Sequence, residues 1–411
     1  MDFARRKLLI NSGKLLALSG LGISVPALNS KEATGSREEL AEIINVGVIG
    51  TGYRGQELMR EIKQIKGIRT VACCDILEER LAQGIRLAEP GARAYKDYRR
   101  LLDDKDVDAI IIATPLYLHY EMSVAAVGAD KHIYCEKSLT HTIEQAYELE
   151  KYIVKTNKIF QVGYQNRYNP AYDRIHQLIK NGGIGELAFI DCFWNRNTRW
   201  RRSDTPPHLE KVINWRLYWE YSGGLVAELS SHQIDVANWI VNDHPAKVSG
   251  FGGIDYWKDG REVFDNTHVL FEYPNGLKAN FTCLSNNALQ GYQMNFYGSK
   301  ATLHIKRTEK QDDIVLYPEF KNRIDTLLDD QSDAVTSATY KSSDRESYQI
   351  LSLNENELVD PTVAALKGFV DSIQNNRHPR SNYHNARDSA IAVAMANVAM
   401  RNNTIEYWPK T

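Results

Sequence analysis

A glycine-rich turn near the start of the chain constrains the fold more than any other feature. Residues 45–49 (NVGVI) have the composition of a buried strand, residues 50–55 (GTGYRG) follow directly, and residues 56–65 show helical periodicity. In a GxGxxG motif at such a place, the first glycine allows a tight turn, the second lets the backbone approach a pyrophosphate, and the third lets the helix pack on the strand. Free amides at the helix start attract the phosphates. The motif predicts a dinucleotide site with the candidate residues Gly50, Gly52, Tyr53, Arg54 and Gly55.

Strand-like and helix-like segments alternate through the first part of the chain. Further strands are predicted at 70–74, 108–113, 132–135 and 159–162, and helices at 78–88, 119–127 and 143–156. Such alternation specifies a parallel sheet with right-handed crossovers. We therefore predict an α/β Rossmann domain over residues 44–162.

An acidic residue follows the second predicted strand. Asp75 stands twenty residues after Gly55, where a carboxylate can accept both ribose hydroxyls and repel a 2′-phosphate. The position predicts NAD rather than NADP as the cofactor.

Two later loops lie at the carboxyl ends of parallel strands, which is the edge that lines a ligand crevice. One contains Thr114 and Pro115, with His119 four residues on, and the other contains Glu136 and Lys137. A Glu-Lys pair at a strand end is often only a solvated ion pair. Beside the pyridinium of NAD, however, the charged form of the lysine would be disfavoured, and Lys137 could then take part in proton transfer.

The pattern changes after residue 162. Long strand-like runs at 187–194, 247–253, 267–273, 278–285, 293–297 and 301–305 are interrupted by predicted helices at 170–181 and 224–241. Turn signals such as Pro274-Asn275-Gly276 indicate hairpins and therefore an antiparallel sheet. Residues 307–358 are polar and are expected to form loops, and helices at 362–374 and 386–401 close the chain. We predict an α+β substrate and oligomerisation domain over 163–411.

The predicted helix at 224–241 carries three ionisable residues. Glu228, His232 and Asp235 have spacings of four and three, which place them on one helix face. An acid, an imidazole and a second acid in line can orient the histidine and move a proton, although a salt-bridge ladder would have the same spacing. Metal binding is not expected, because the spacing lacks HExxH and the eleven histidines form no close cluster.

Charge and cysteine content exclude several classes of partner. With 50 Lys and Arg against 52 Asp and Glu, the net charge of −2 gives no overall field that would favour nucleic acid or an anionic membrane. The five scattered cysteines include no CxxC and are expected to be small buried hydrophobes rather than a disulfide scaffold.

The first thirty residues have the features of an export signal. A basic segment with Arg5 and Arg6 precedes an apolar stretch and the small-residue pattern at 25–27. The paired arginines resemble a twin-arginine signal, which serves the export of folded proteins. We predict a signal peptide over 1–30, a polar linker over 31–43 and a periplasmic protein.

In combination, these motifs resemble the Gfo/Idh/MocA family of oxidoreductases, which includes glucose-fructose oxidoreductase and inositol dehydrogenase. The resemblance rests on the glycine motif, on Ala113-Thr114-Pro115 with His119, on Cys135-Glu136-Lys137, on residues 163–170 (GYQNRYNP), and on the Gly-Gly/Glu/His/Asp run at 223–235. It implies a Rossmann domain followed by an open, mostly antiparallel sheet that often forms the oligomer interface, here a dimer or tetramer.

The resemblance also implies roles for individual residues. Lys137 and His232 are expected to be catalytic, and Glu228 stands where the family has an aspartate that helps to bind substrate. Ser138 replaces the usual proline, which is expected to loosen the loop around the lysine.

The expected function is NAD-dependent oxidation of a sugar, cyclitol or sugar derivative with a tightly held cofactor. The segment between 194 and 219 is rich in tryptophan, asparagine and arginine, which suits polyhydroxylated rings. Arg167, Arg216 and Asp235 are the candidate substrate contacts. A redox-neutral NAD-dependent glycoside hydrolase, with Tyr164, Tyr168 or Tyr218 as an additional acid or base, and a non-catalytic binding protein are the alternatives.

Overall fold

The first of two sheets is parallel and has six strands. The computed structural model describes residues 43–308, 312–319, 349–350 and 359–410, so the predicted signal peptide and nearly all of the predicted linker lie outside the described residues. The strands run in the order β3-β2-β1-β4-β5-β6, and their bounds are β1 Ile44–Ile49, β2 Ile68–Cys74, β3 Arg93–Tyr95, β4 Ala109–Ile112, β5 His132–Cys135 and β6 Phe160–Val162.

Five helices connect these strands and cover the sheet. They are α1 Tyr53–Ile62, α2 Glu78–Leu87, α3 Tyr98–Leu102, α4 His119–Gly128 and α5 Ile143–Ile153. Strand β1 pairs with both β2 and β4, so the strand order reverses beside β1. In a parallel α/β sheet, the crevice for a ligand opens at the carboxyl ends of the strands at this reversal. The predicted cofactor loops therefore share one edge of the sheet.

The second sheet is mixed and has nine strands. Its order is β14-β13-β12-β11-β7-β10-β9-β8-β15, with the bounds β7 Leu187–Trp194, β8 Lys247–Gly253, β9 Asn266–Glu272, β10 Lys278–Leu284, β11 Tyr292–Gly298, β12 Ala301–Arg307, β13 Asp312–Pro318, β14 Gln349–Ile350 and β15 Glu406–Tyr407. All pairs are antiparallel except β7 with β10. The predicted fold class, a Rossmann domain followed by a mostly antiparallel sheet, is confirmed.

Five further α-helices lie among the described residues. Their bounds are α6 Pro170–Lys180, α7 Glu210–Ile213, α8 Ser231–Val241, α9 Pro361–Gln374 and α10 Tyr383–Asn402. Leu229, Ile234 and Ala396 belong to one hydrophobic core with Phe281 and Phe296 of the sheet. Among the described helices, none combines the length and the apolar character that crossing a membrane demands.

Two features differ from the sequence-based expectations. Residues 312–318 form β13, which pairs with β12, whereas the polar composition of 307–358 had suggested loops throughout. Helix α9 follows the second domain in the chain, yet Leu366, Phe369 and Val370 pack into the core of the first sheet. All five cysteines are buried and free, as predicted: Cys73, Cys74, Cys135, Cys192 and Cys283.

Candidate active site

Close backbone packing requires glycine at two positions of the turn after β1. Gly50 has φ +89°, and a Cβ there would lie 2.6 Å from the Ala113 carbonyl oxygen, while a Cβ on Gly55 would collide with the Gly50 carbonyl oxygen. Gly52 is the N-cap of α1 and supplies no side-chain cap. The amides at the start of α1 are therefore available to a phosphate group.

Asp75 fastens this turn to the end of β2. Its carboxylate accepts hydrogen bonds from the backbone amides of Thr51 and Leu77, both at 2.9 Å. Burial raises the pKa of Asp75, while these hydrogen bonds and Arg80 act in the opposite direction. In a Rossmann domain, a carboxylate at this position lies beside the adenosine ribose. The glycine turn and Asp75 together therefore fit NAD.

Glu136 pairs with an arginine of the glycine motif and not with its neighbour Lys137, which corrects the ion-pair interpretation of the sequence. Arg54 Nε lies 2.7 Å from Glu136 Oε1, and the same guanidinium reaches Gln165 Oε1 at 3.4 Å and Thr362 Oγ1 at 3.4 Å. Arg54 therefore ties the start of α1 to the loop after β5.

His119 joins the two loops that the sequence placed beside the nicotinamide. It is buried, with Nδ1 2.7 Å from the Ser138 carbonyl oxygen and Nε2 3.0 Å from the Thr114 carbonyl oxygen. Burial lowers the pKa of His119, and the two carbonyl contacts oppose this shift. Ser138 is itself buried, and its hydroxyl donates to the Ala227 carbonyl oxygen at 3.5 Å. These contacts fix the loop around Lys137, which was expected to be loosened because Ser138 replaces the usual proline.

Lys137 reaches from the first domain to the segment before α8. Its Nζ donates to the Glu228 carbonyl oxygen at 3.1 Å. Burial lowers the pKa of Lys137, and the carboxylates of Glu228 and Glu136 oppose this effect. This is the one hydrogen bond of the ammonium group to a described residue, which leaves two of its three donors for a ligand.

Glu228 lies in a π-helical turn, Val226–Ser230, which leads into α8. Its Oε2 lies 2.7 Å from Arg216 Nε. Burial would raise the pKa of Glu228, but Arg216 and then Lys137 lower it below its ordinary value. The carboxylate is therefore charged, and Arg216 is held beside it.

His232 lies in α8 with its ring nitrogens free of hydrogen bonds to any described residue. Its ring centroid is 6.1 Å from that of Tyr164 and 5.6 Å from that of Trp194. Burial and then the Lys137 ammonium lower the pKa of His232 well below 6.5. The imidazole is consequently neutral at neutral pH and can accept a proton.

Asp235 does not orient His232, contrary to the expectation from its spacing. Its carboxylate accepts three hydrogen bonds from Arg167, at 2.8, 3.0 and 3.1 Å, and one from the Ser389 hydroxyl at 3.0 Å. The side chains of Arg167 and Asp235 are 8% and 1% exposed. The structure therefore places these two candidate substrate contacts in a buried ion pair with each other.

Two other residues of the 194–219 segment are used within the protein. Trp219 packs against Phe264, and Arg199 pairs with Asp259. Trp194 differs, because it contacts His232. Among the described residues, no group of three or more His, Cys, Asp or Glu side chains is placed to hold a metal ion.

Sequence reasoning missed several residues that shape the site. Thr51 binds Asp75, Gln165 contacts Arg54, and Arg307 acts electrostatically on His232. Thr51 lies inside the glycine motif and could have been noticed. Arg307 is more than seventy positions from His232, and no local pattern links them.

Comparison with protein families identifies both halves of the chain. Residues 44–164 match the GFO/IDH/MocA oxidoreductase family, NAD-binding Rossmann fold, and residues 172–304 match the GFO/IDH/MocA C-terminal domain. The two matched segments together make up more than half of the chain.

Curated relatives are distant and only partly covered. The uncharacterized oxidoreductase YrbE of Bacillus subtilis is 28% identical over 265 residues, which are 63% of this chain and 72% of that protein. An inositol 2-dehydrogenase of Salmonella typhimurium is 27% identical over 202 residues, 49% of this chain and 55% of that enzyme. The match thus spans little more than half of the inositol dehydrogenase.

Solved structures share the fold over their whole length. Levoglucosan dehydrogenase in complex with NADH and levoglucosan has a TM-score of 0.73 at 18% identity, covering 90% of this chain and 100% of that one. Aldose-aldose oxidoreductase from Caulobacter crescentus, complexed with glycerol, has a TM-score of 0.69 at 17% identity, covering 89% and 100%.

Proposed function

Because this chain belongs to the GFO/IDH/MocA family of NAD-binding oxidoreductases, we propose that it oxidises a secondary hydroxyl group of a sugar, cyclitol or sugar derivative. Inositol and levoglucosan, the compounds in the names of two relatives, are polyhydroxylated rings. The observation that carries the proposal is the meeting of Lys137 from the first domain with the segment leading to His232 in the second. Both side chains retain atoms that can bind a hydroxyl group.

The first domain supplies the groups that would hold the cofactor. Backbone amides of the glycine turn would bind the pyrophosphate, Asp75 the adenosine ribose, and the loops joined by His119 the nicotinamide end. NAD, when bound, accepts a hydride from the carbon that carries the hydroxyl group.

The second domain supplies the base. A free imidazole nitrogen of His232 takes the hydroxyl proton, because burial and nearby cations keep this ring neutral. Lys137 Nζ donates to the same hydroxyl oxygen and stabilises the negative charge that develops there. Glu228 and Arg216 are fixed to each other and would bind other hydroxyl groups of the ring.

The names of the reported relatives are those of dehydrogenases and oxidoreductases, which favours oxidation over the redox-neutral glycosidase alternative. The test is to denature the purified protein, identify the released nucleotide, and assay the native protein on a panel of sugars, cyclitols and glycosides. Formation of ketone or acid with reduced cofactor supports the proposal. Cleavage of glycosides with no net change in cofactor would replace it by the alternative.

Export is a second part of the proposal, and it rests on the sequence of residues 1–30. A compartment without free NAD requires the cofactor to be held tightly and reoxidised within the cycle, for example by coupling oxidation of one sugar to reduction of another. Replacing Arg5 and Arg6 by Lys-Lys should leave the precursor in the cytoplasm, because the twin-arginine route reads the arginine pair. Unchanged export of that variant in cell fractions would argue for the general secretory route.

We expect the second sheet to mediate a dimer or tetramer. On its outer face Phe251, Leu270 and Tyr297 are 76%, 44% and 37% exposed, and exposed apolar side chains on a sheet favour self-association. Light scattering of the purified protein measures the assembly directly.

A further inference from the structure

Two of the four cations that act on His232 are paired with carboxylates. After burial, four cations lower the pKa of this histidine: Lys137, Arg307, Arg54 and Arg196. Two of them have carboxylate partners, in the pairs Arg307–Asp312 at 2.8 Å and Arg54–Glu136 at 2.7 Å. Lys137 is used at the reacting hydroxyl in the proposed function. Arg196 is left without an assigned role.

Arg196 has a free guanidinium on a fixed backbone. Within the described residues, no carboxylate lies within ion-pair distance of it and its side chain makes no hydrogen bond. Its backbone amide donates to the Leu284 carbonyl oxygen at 2.8 Å, and the preceding Asn195 side chain accepts from the Leu284 amide at 3.1 Å. The backbone that follows is also fixed, because the Thr198 amide donates a hydrogen bond to the Ser285 carbonyl oxygen at 2.9 Å. The residue is exposed, so a ligand can reach it.

One indole ring connects this guanidinium to the candidate base. The Arg196 Cζ lies 5.2 Å from the centroid of Trp194, and that centroid lies 5.6 Å from the centroid of His232. The sum of these distances is the largest possible separation of guanidinium and imidazole. This upper limit leaves room for a pyranose ring with one hydroxyl hydrogen-bonded to the imidazole and an exocyclic group, across the ring, hydrogen-bonded to the guanidinium.

We propose that Arg196 binds a carboxylate of the substrate, so that the substrate class is sugar acids, such as uronic acids, and not neutral sugars. This inference rests on the proposed oxidation of a sugar hydroxyl at His232. Trp194 lies against the guanidinium, and the parallel N–H groups on the guanidinium edge make no hydrogen bond within the described residues. A planar carboxylate accepts two parallel hydrogen bonds from such an edge.

The uncompensated charge also acts on the reaction. A neutral substrate would leave Arg196 without an anion beside a base whose pKa is already depressed by cations. A carboxylate neutralises this charge. It also fixes the ring at a second point, which orients the reacting hydroxyl toward His232.

The test compares matched sugars on the intact protein with its NAD. Glucose, galactose and mannose are each supplied in the neutral, uronate and 6-phosphate forms, and reduction of the bound nucleotide is followed by absorbance. We expect a preference for uronate over the matched neutral sugar, and a fall of about 10- to 100-fold in that ratio in Arg196→Met, the range for a charge-assisted hydrogen bond. Arg199→Met is the control, because Arg199 is a nearby exposed arginine that pairs with Asp259, and it should leave the ratio unchanged.

A binding measurement separates this inference from the proposed function. Calorimetry of the His232→Ala protein loaded with NADH measures uronate affinity without turnover, and Arg196→Met in that background should weaken it by a similar factor. Binding of uronates without oxidation by the wild-type protein would contradict the proposed function but support the subsite. Preference for neutral or 6-phosphate forms, or a ratio unaffected by Arg196→Met, would overturn the carboxylate subsite and leave the oxidation of sugars standing.

Discussion

The buried ion pair of Arg167 with Asp235 gives the sharpest test of the structural interpretation. Both residues were candidate substrate contacts, but in the structure they form an ion pair with each other. Burial raises the pKa of Asp235, while Arg167 and the Ser389 hydroxyl oppose this rise and thereby favour the charged carboxylate. The pair connects the segment before α6 with α8, which carries His232. We therefore predict that removing one charge costs stability first and substrate affinity only secondarily.

The magnitude follows from the contacts. In Asp235→Asn, the Arg167 guanidinium stays buried but loses the anion that accepts three hydrogen bonds from it. Leaving one buried charge uncompensated costs about 3–5 kcal/mol, which corresponds, for a chain of this length, to a fall of roughly 4–6 °C in melting temperature. The double variant Arg167→Met/Asp235→Leu should regain much of the loss, since neither charge remains. Ser389 keeps its hydrogen bond to the Asn385 carbonyl oxygen at 3.1 Å.

The assay is urea and thermal unfolding without substrate, followed by circular dichroism. Glu78→Gln is the control, because Glu78 and its partner Lys96 are 85% and 67% exposed, and such pairs contribute at most about 1 kcal/mol. An Asp235→Asn protein with wild-type unfolding but a strongly raised KM would refute the structural interpretation and restore Asp235 as a substrate contact.

The other predictions concern the site directly. His232→Ala and Lys137→Ala should each lower turnover by ~10² or more with nearly unchanged nucleotide occupancy, measured on the denatured protein; full activity in either variant removes that residue from the mechanism. Since the base acts when neutral and its pKa lies well below 6.5, kcat/KM should decline with acid only below pH 6.5, and a decline centred above that value would exclude His232 as the base. Asp75→Ala should weaken NAD binding and partly relieve discrimination against NADP. Titration of the nucleotide-depleted protein with each cofactor measures this, and an unchanged preference for NAD would show that Asp75 does not select the cofactor.

Local patterns in the sequence determined the first domain. Hydrophobic runs alternate with helical periodicity, and this alternation fixes a parallel sheet because each helix must return the chain to the same sheet edge. The glycine turn and Asp75 lie at ends of adjacent strands, so their proximity followed from strand order alone. The family resemblance assigned Lys137 and His232 to one site, and in the structure the Lys137 ammonium acts electrostatically on His232.

The tertiary structure alone decided which charges pair. The sequence left an ion pair of Glu136 with Lys137 as an alternative and placed Asp235 in line with His232, whereas Arg54 and Arg167 pair with these carboxylates. Spacing along one element fixes only which face a residue occupies. The partner of a charge depends on the distance to other elements and on burial, which makes an uncompensated charge costly. For the same reason, the lack of an ion-pair partner for Arg196 within the described residues is a property of the tertiary structure and not of the local sequence.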